Sequence, residues 1–188
     1  MERVMIFIDG SNFYYGLQKA LSTAAIHFDT FGYLLCGEER RLVHTHYYSV
    51  SVRQDRNKQQ YAEQQKFFSV IKSLPHFDLN RGRLVDRDRE EICPKCGYQY
   101  TVTYQTEKGV DVFLAVDMLS CAFDNQYDTA ILVSQDGDFV PVVKEVRRLR
   151  KSVENAEFTH RLPSYLSKQC SHTIELTEEF LRPCIINR

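Results

Sequence analysis

Residues 128–138 read DTAILVSQDGD, and this stretch decides the fold. Ala130-Ile131-Leu132-Val133 is a short continuous apolar run, the pattern of a strand buried on both faces of a parallel sheet. Ser134-Gln135-Asp136-Gly137-Asp138 breaks the run, and Phe139 to Arg150 has the apolar spacing of a helix. Strand, acidic turn and helix in that order place Asp136 and Asp138 just beyond the carboxyl end of a central strand. In open α/β sheets that is the end where ligands bind.

Working outward, the start of the chain repeats the theme. Residues 4–8 form an apolar strand that leads into Asp9-Gly10-Ser11-Asn12, with Ser11 or Asn12 able to cap a helix through about Leu21. Lys108-Gly109-Val110-Asp111 opens a second predicted helix, Glu107 to about Phe123. Further helices are predicted over Phe28–Cys36, from about Lys58 to Leu74, and over Pro163–Cys170. Strands are predicted over Leu42–Val52, Phe77–Val85, Ser152–Phe158 and Thr173–Leu176. Between them, the charge run 86–91, the knuckle Cys93-Pro94-Lys95-Cys96-Gly97 and the strand-like Tyr98–Gln105 read as a β-hairpin inserted over about residues 86–106. Strands alternating with helices predict an α/β three-layer sandwich, a mostly parallel sheet with helices on both faces. The whole chain, 1–188, reads as a single domain.

Composition excludes several classes. Hydrophobic content is 43% and charged content 26%, ordinary for a soluble globular protein. No apolar run approaches the ~20 residues of a membrane span, and Met1-Glu2-Arg3 carries no signal-peptide pattern, so a cytoplasmic location is expected. The six cysteines show no framework spacing and are expected to be reduced. Net charge is −1, yet arginines cluster at 81, 83, 87 and 89, and Lys144, Arg147, Arg148, Arg150 and Lys151 crowd the end of one helix. That second cluster is either a phosphate-binding surface or a solvated helix end favoured by the helix dipole.

Each motif has two readings. Asp9-Gly10-Ser11-Asn12 suits a hydrated cation and a phosphate, or is simple turn and cap chemistry. Asp136 and Asp138 are harder to explain structurally, because one carboxylate suffices as a cap and a second so close repels it. Lys108 and Asp111 form either a local ion pair or a phosphate contact beside a cation ligand, with Asp117 the weaker acidic candidate. Cys93 and Cys96 are half of a zinc site or a reduced turn; Cys36, His44, His46 or the same pair from a second copy would complete a zinc site. Alternation puts His44, His46 and Tyr48 on one strand face and Tyr47 on the other, for packing or for base stacking.

Together these motifs carry a resemblance that no single one does. Asp-Gly-Ser-Asn after the first strand, Lys-Gly-Val-Asp at a middle helix and Ser-x-Asp-Gly-Asp-Phe after a later strand resemble the NYN domain family (LabA-like proteins) of the PIN-like nucleases. The resemblance runs from Val4 to about Leu176 and implies a Rossmann-like sheet with the first strand beside the strand at 130–133. It implies a divalent-metal-dependent ribonuclease acting on RNA through Mg²⁺ or Mn²⁺ held by Asp9, Asp111 and Asp136, with Asp138 and Lys108 in support. Ser11, Asn12, Ser134, Arg147 and Arg148 would then contact substrate. A small residue is common in the family where Gln135 stands here. The competing expectation is an RNA-binding or regulatory scaffold that keeps the fold without cutting. A haloacid-dehalogenase-type phosphotransferase would need a second Asp at position 11, which is Ser, and no Gly-x-Gly-x-x-Gly follows the first strand to mark a dinucleotide site.

Overall fold

β1 (Glu2–Asp9) alternates Val4, Ile6 and Ile8 with Met5 and Phe7, and the two sets are buried in two separate cores. That is the signature of a central strand covered on both faces. The computed structural model describes residues 1–21, 25–158 and 163–186. β1 is followed by α1 (Gly10–Leu21), α2 (Phe28–Cys36), β2 (Arg40–Val50), α3 (Lys58–Ser73), β3 (Phe77–Ile92) and β4 (Gln99–Lys108). Next come α4 (Val110–Phe123), β5 (Thr129–Val133), α5 (Val140–Arg148), β6 (Ser152–Phe158), β7 (His172–Leu176) and α6 (Glu178–Leu181).

The seven strands form one sheet in the order β4-β3-β2-β1-β5-β6-β7. Every neighbouring pair is parallel except β3–β4. The chain builds outward from β1 through β2 and β3, then crosses to β5 on the other side, so the strand order reverses between β1 and β5. One core joins Val4, Ile6 and Ile8 to Phe13 and Leu17 of α1, Phe31 and Leu35 of α2, and Ile71 of α3. The other joins Met5 and Phe7 to Leu114 and Met118 of α4 and Val143 and Val146 of α5. At the amino end, the Arg3 guanidinium donates to both carboxylate oxygens of Asp128 at 2.7 and 3.1 Å, locking β1 to the start of β5. That pairing holds the Asp128 carboxyl well below its ordinary range. Among the described residues no helix is long and apolar enough to cross a membrane.

Three boundaries differ from the sequence expectation. β3 does not stop at Val85: Arg83–Ile92 continues as one arm of a two-stranded ribbon with Gln99–Lys108, and the charge run 86–91 lies within it. Both faces of the ribbon are largely open to water, so it lacks the apolar alternation that marks a half-buried strand. Glu107 and Lys108 belong to β4 and not to the helix, because they stay paired with Leu84 and Arg83; Gly109, at φ 88°, makes the break and α4 starts at Val110. The predicted helix at 163–170 shrinks to the 3₁₀ turn Ser167–Gln169, and α6 was not anticipated.

Gly10 sets how closely α1 approaches the sheet. A Cβ there would lie 2.5 Å from the Tyr48 carbonyl oxygen and 2.6 Å from the Tyr47 ring. Gly10→Ala is therefore expected to force strand and helix apart and cost about 1–3 kcal/mol, read as a lowered urea midpoint. An unchanged midpoint would show that this contact relaxes freely.

Candidate functional site

β1 and β5 pair with Ile8 opposite Val133, so the next residue of each strand, Asp9 and Ser134, arrives at the same level at the carboxyl end of the sheet. Asp9 is buried, and each of its oxygens has a donor. The Asn12 N–H reaches Oδ1 at 3.2 Å and the Ser134 hydroxyl reaches Oδ2 at 3.1 Å. The Ser134 Oγ in turn accepts the Asp136 N–H at 3.1 Å, and Asp136 Oδ1 accepts the Asp138 N–H at 2.9 Å. This last bond caps the 3₁₀ turn Gly137–Phe139, while Phe139 is buried beneath it. A chain of hydrogen bonds thus runs from Asp9 through Ser134 to Asp136 and Asp138.

Asn155 of β6 holds the bend from behind. Its buried side-chain amide donates to the carbonyls of Leu132 and Ser134 at 2.9 and 2.8 Å. Glu107 joins the site from another side by accepting the Ser11 hydroxyl at 3.0 Å. Neither residue is announced by the sequence: Asn155 acts through a strand partner, and Glu107 read as a helix residue.

Asp111 enters from the first turn of α4. Its carboxyl is raised above the usual range by burial and then by the charges of Asp136 and Asp138. The Asp9 carboxyl is pushed up to about 6, chiefly by burial, with Asp111 and Asp136 adding to the rise and the Asn12 and Ser134 bonds opposing it. Four acids from β1, α4 and the β5–α5 turn therefore share one electrostatic neighbourhood. They do not converge tightly. Among the described residues, the three-residue group with ligand atoms all within 4.8 Å of one another is His44, His46 and Asp78. The donor set at the acidic cluster is all oxygen, which fits a hard cation such as Mg²⁺ or Mn²⁺.

Other predicted site residues fall elsewhere. Lys108 is exposed at the end of β4, one residue from the Gly109 break and opposite Arg83. Arg147 and Arg148 are not brought to the cluster. α5 runs back along the sheet and ends just before β6, whose first residue pairs with Thr129, the first of β5. There Arg147 donates to the Gln169 carbonyl at 2.6 Å and Arg148 to Glu145 at 2.8 Å, so both serve the opposite end of the molecule. Asp117 accepts the Tyr48 hydroxyl at 2.9 Å and is a structural partner.

Cys93 and Cys96 sit in the turn that joins β3 to β4. The Cys93 N–H bonds the Tyr98 carbonyl and the Gly97 N–H bonds the Cys93 carbonyl, each at 2.9 Å. The amides of Lys95 and Cys96, then the Cys96 thiol, lower the Cys93 thiol from its ordinary range. Among the described residues no third metal-ligating side chain gathers with this pair. Cys36 is buried in the core at the end of α2, and His44 and His46 converge on Asp78, so none of the three completes the knuckle.

Comparison with known proteins bears on the family and the fold. The NYN domain model matches residues 3–177. The chain is also similar to VPA0982, a protein of unknown function from Vibrio parahaemolyticus, at 22% identity over 96% of both chains with a TM-score of 0.65. That likeness is one of fold. No curated protein matches the sequence.

Asp9 makes the site's protonation visible in stability. Its carboxyl rises from 3.8 to about 6 on folding, so the folded chain holds that proton more tightly. The resulting stabilisation is complete below the unfolded value and is lost as pH rises through about 6. Asp9→Asn has no such titration. In EDTA, the stability of wild type relative to Asp9→Asn should fall by up to about 3 kcal/mol between pH 4 and pH 7. Urea unfolding of both proteins across that range checks it; parallel pH profiles would mean that Asp9 is solvated.

Proposed function

Because the chain belongs to the NYN domain family, within the PIN-like nuclease superfamily, we propose that it is a divalent-metal-dependent endoribonuclease. The observation that carries this reading is that Asp9, Asp111, Asp136 and Asp138 share one electrostatic neighbourhood at the carboxyl ends of β1 and β5, where the strand order reverses. Asp9, Asp111 and Asp136 would hold Mg²⁺ or Mn²⁺, which when bound polarises a phosphate oxygen and makes coordinated water more acidic.

The protein's own part is positioning. Asn12 and Ser134 fix both oxygens of Asp9, and Ser134 ties its orientation to the Asp136 backbone. Burial of Asp9 limits its contact with bulk water. Lys108, exposed at the end of β4 three residues before Asp111, would offer a cation to a substrate phosphate, and Ser11 and Asn12 stand in the first turn of α1.

The β3–β4 ribbon supplies the grip expected of Arg147 and Arg148. Cross-strand partners share a face, so Arg83, Arg87 and Arg89 stand with Lys108, Tyr104 and Tyr100 on one side, where Glu91 also lies, pairing with Arg89 and accepting the Tyr100 hydroxyl at 3.0 Å. Asp86, Asp88 and Glu90 stand on the other with Gln105, Thr103 and Thr101. The Arg89 guanidinium lies 6.0 Å from the Tyr104 ring centre. Arginines for phosphates interleaved with exposed tyrosines for bases suit a single RNA strand.

Incubation of single-stranded and structured RNAs with Mn²⁺, Mg²⁺ or EDTA tests the activity. Cleavage should need the cation and fall by about 100-fold or more in Asp111→Asn. RNA binding without cation-dependent cutting would replace the enzyme by the scaffold reading. Removing Arg87 and Arg89 together should lower the salt slope of RNA binding by about 1.4, at ~0.7 per lost phosphate contact. Arg147→Ala/Arg148→Ala should leave affinity and slope unchanged, and a loss there would return substrate to the far end of α5.

A further inference from the structure

We infer that His44, His46 and Asp78 form a binding site for one zinc-class divalent ion, separate from the acidic cluster and independent of the proposed nuclease activity. His44 and His46 are two apart on β2 and therefore share a face, with ring centres 4.7 Å apart. Asp78 is the register partner of His46 on the neighbouring parallel strand β3. Three ligands of two side-chain types thus meet on one face of two adjacent strands. His44 Nε2 lies 2.9 Å from Asp78 Oδ2, and His46 Nδ1 lies 3.9 Å from the same oxygen. Tetrahedral zinc with bonds of about 2.0–2.1 Å sets its ligand atoms about 3.3 Å apart. The two observed separations bracket that value.

The second observation concerns what these nitrogens lack. His44 Nε2 and His46 Nδ1 are both buried and neither makes a hydrogen bond of acceptable geometry. An ordinary histidine–aspartate pair would align at least one N–H on the carboxylate. Here both nitrogens are turned on one oxygen without alignment, and buried polar atoms are rarely left so. An ion among the three would satisfy both at once. The His46 ring is also held in place, stacked at 5.4 Å on Phe7 and at 6.2 Å on Tyr48. Two imidazoles and a carboxylate are the donor set of a borderline metal such as Zn²⁺, whereas the acidic cluster offers only oxygen. The Asp78 side chain is 61% exposed, which leaves a fourth position for water. The acidic cluster lies farther along the strands, since Asp9 is level with Tyr48, beyond His46. Bound there, the ion would tie β2 to β3 in the sheet.

The test uses the full chain carrying Cys93→Ser/Cys96→Ser, so that thiols do not compete. Zn²⁺ is titrated against a chromophoric chelator, and Co²⁺ is added separately to read the ligand field by visible absorption. The expected result is one equivalent of Zn²⁺, a rise in melting temperature on binding, and the intense visible bands of tetrahedral Co²⁺. Asp78→Asn and His44→Gln in the same background should each weaken Zn²⁺ binding by about 10-fold or more. Asp78 is mostly exposed, so its variant is the one expected to fold normally, with circular dichroism as the check. No uptake in the Cys93→Ser/Cys96→Ser protein, or unchanged affinity in Asp78→Asn, would overturn the assignment. Uptake that needs Cys93 and Cys96 would do the same.

Discussion

The register of β1 against β5 is the constraint on which the rest depends. With Ile8 opposite Val133, the last pair of the β1–β5 ladder is apolar and at most 1% exposed, and Asp9 and Ser134 follow it. The hydrogen bond between those two side chains converts a backbone pairing into a side-chain address. A slip of one residue would turn every side chain of a strand to the wrong layer. Because each strand is sandwiched between two cores, that slip is heavily penalised, and the acids are delivered to one place by hydrophobic packing and not by their own attraction. They have none: Asp111 and Asp136 raise the proton affinity of Asp9, and Asp136 and Asp138 raise that of Asp111.

This separation between what packs and what reacts explains which features were legible. Asp9 and Asp136 could be read directly, since a short apolar run followed by a breaker marks a strand's end and therefore the sheet's rim. Lys108 was misplaced because Lys-Gly-Val-Asp looks like a helix start, while pairing with Arg83 keeps Lys108 in a strand. Arg147 and Arg148 were visible as a basic helix end, but periodicity does not say which end of the sheet that helix reaches. The partnership of His46 with Asp78 rests on the β2–β3 register, which no local pattern encodes. Asn155 stayed hidden for the same reason, as its work is done on carbonyls of the neighbouring strand.

The ribbon formed by β3 and β4 shows how an element can be ordered with little burial. Its strands carry cross-strand bonds such as Thr103 to Asp88 at 2.8 Å and Gln105 to Asp86 at 3.0 Å. Arg53 reaches Asp86 at 2.8 Å from the loop after β2 and ties the ribbon back to the sheet. Exposed pairs of this kind are individually weak. What they add here is partial sorting: Asp86, Asp88 and Glu90 stand on one face, and the arginines and tyrosines on the other, where Glu91 pairs with Arg89.

Gly109 gives that ribbon a mechanical meaning. β4 runs without interruption to Lys108, and Asp111 follows two residues after the glycine, already on α4. The ribbon and Asp111 are the two arms of a lever whose fulcrum is a single residue at φ 88°. Asp9 and Asp136 are anchored on strands of the sheet and do not share that pivot. The ribbon is therefore joined through a single glycine to one carboxylate of the four, Asp111, and reaches the others only through the sheet.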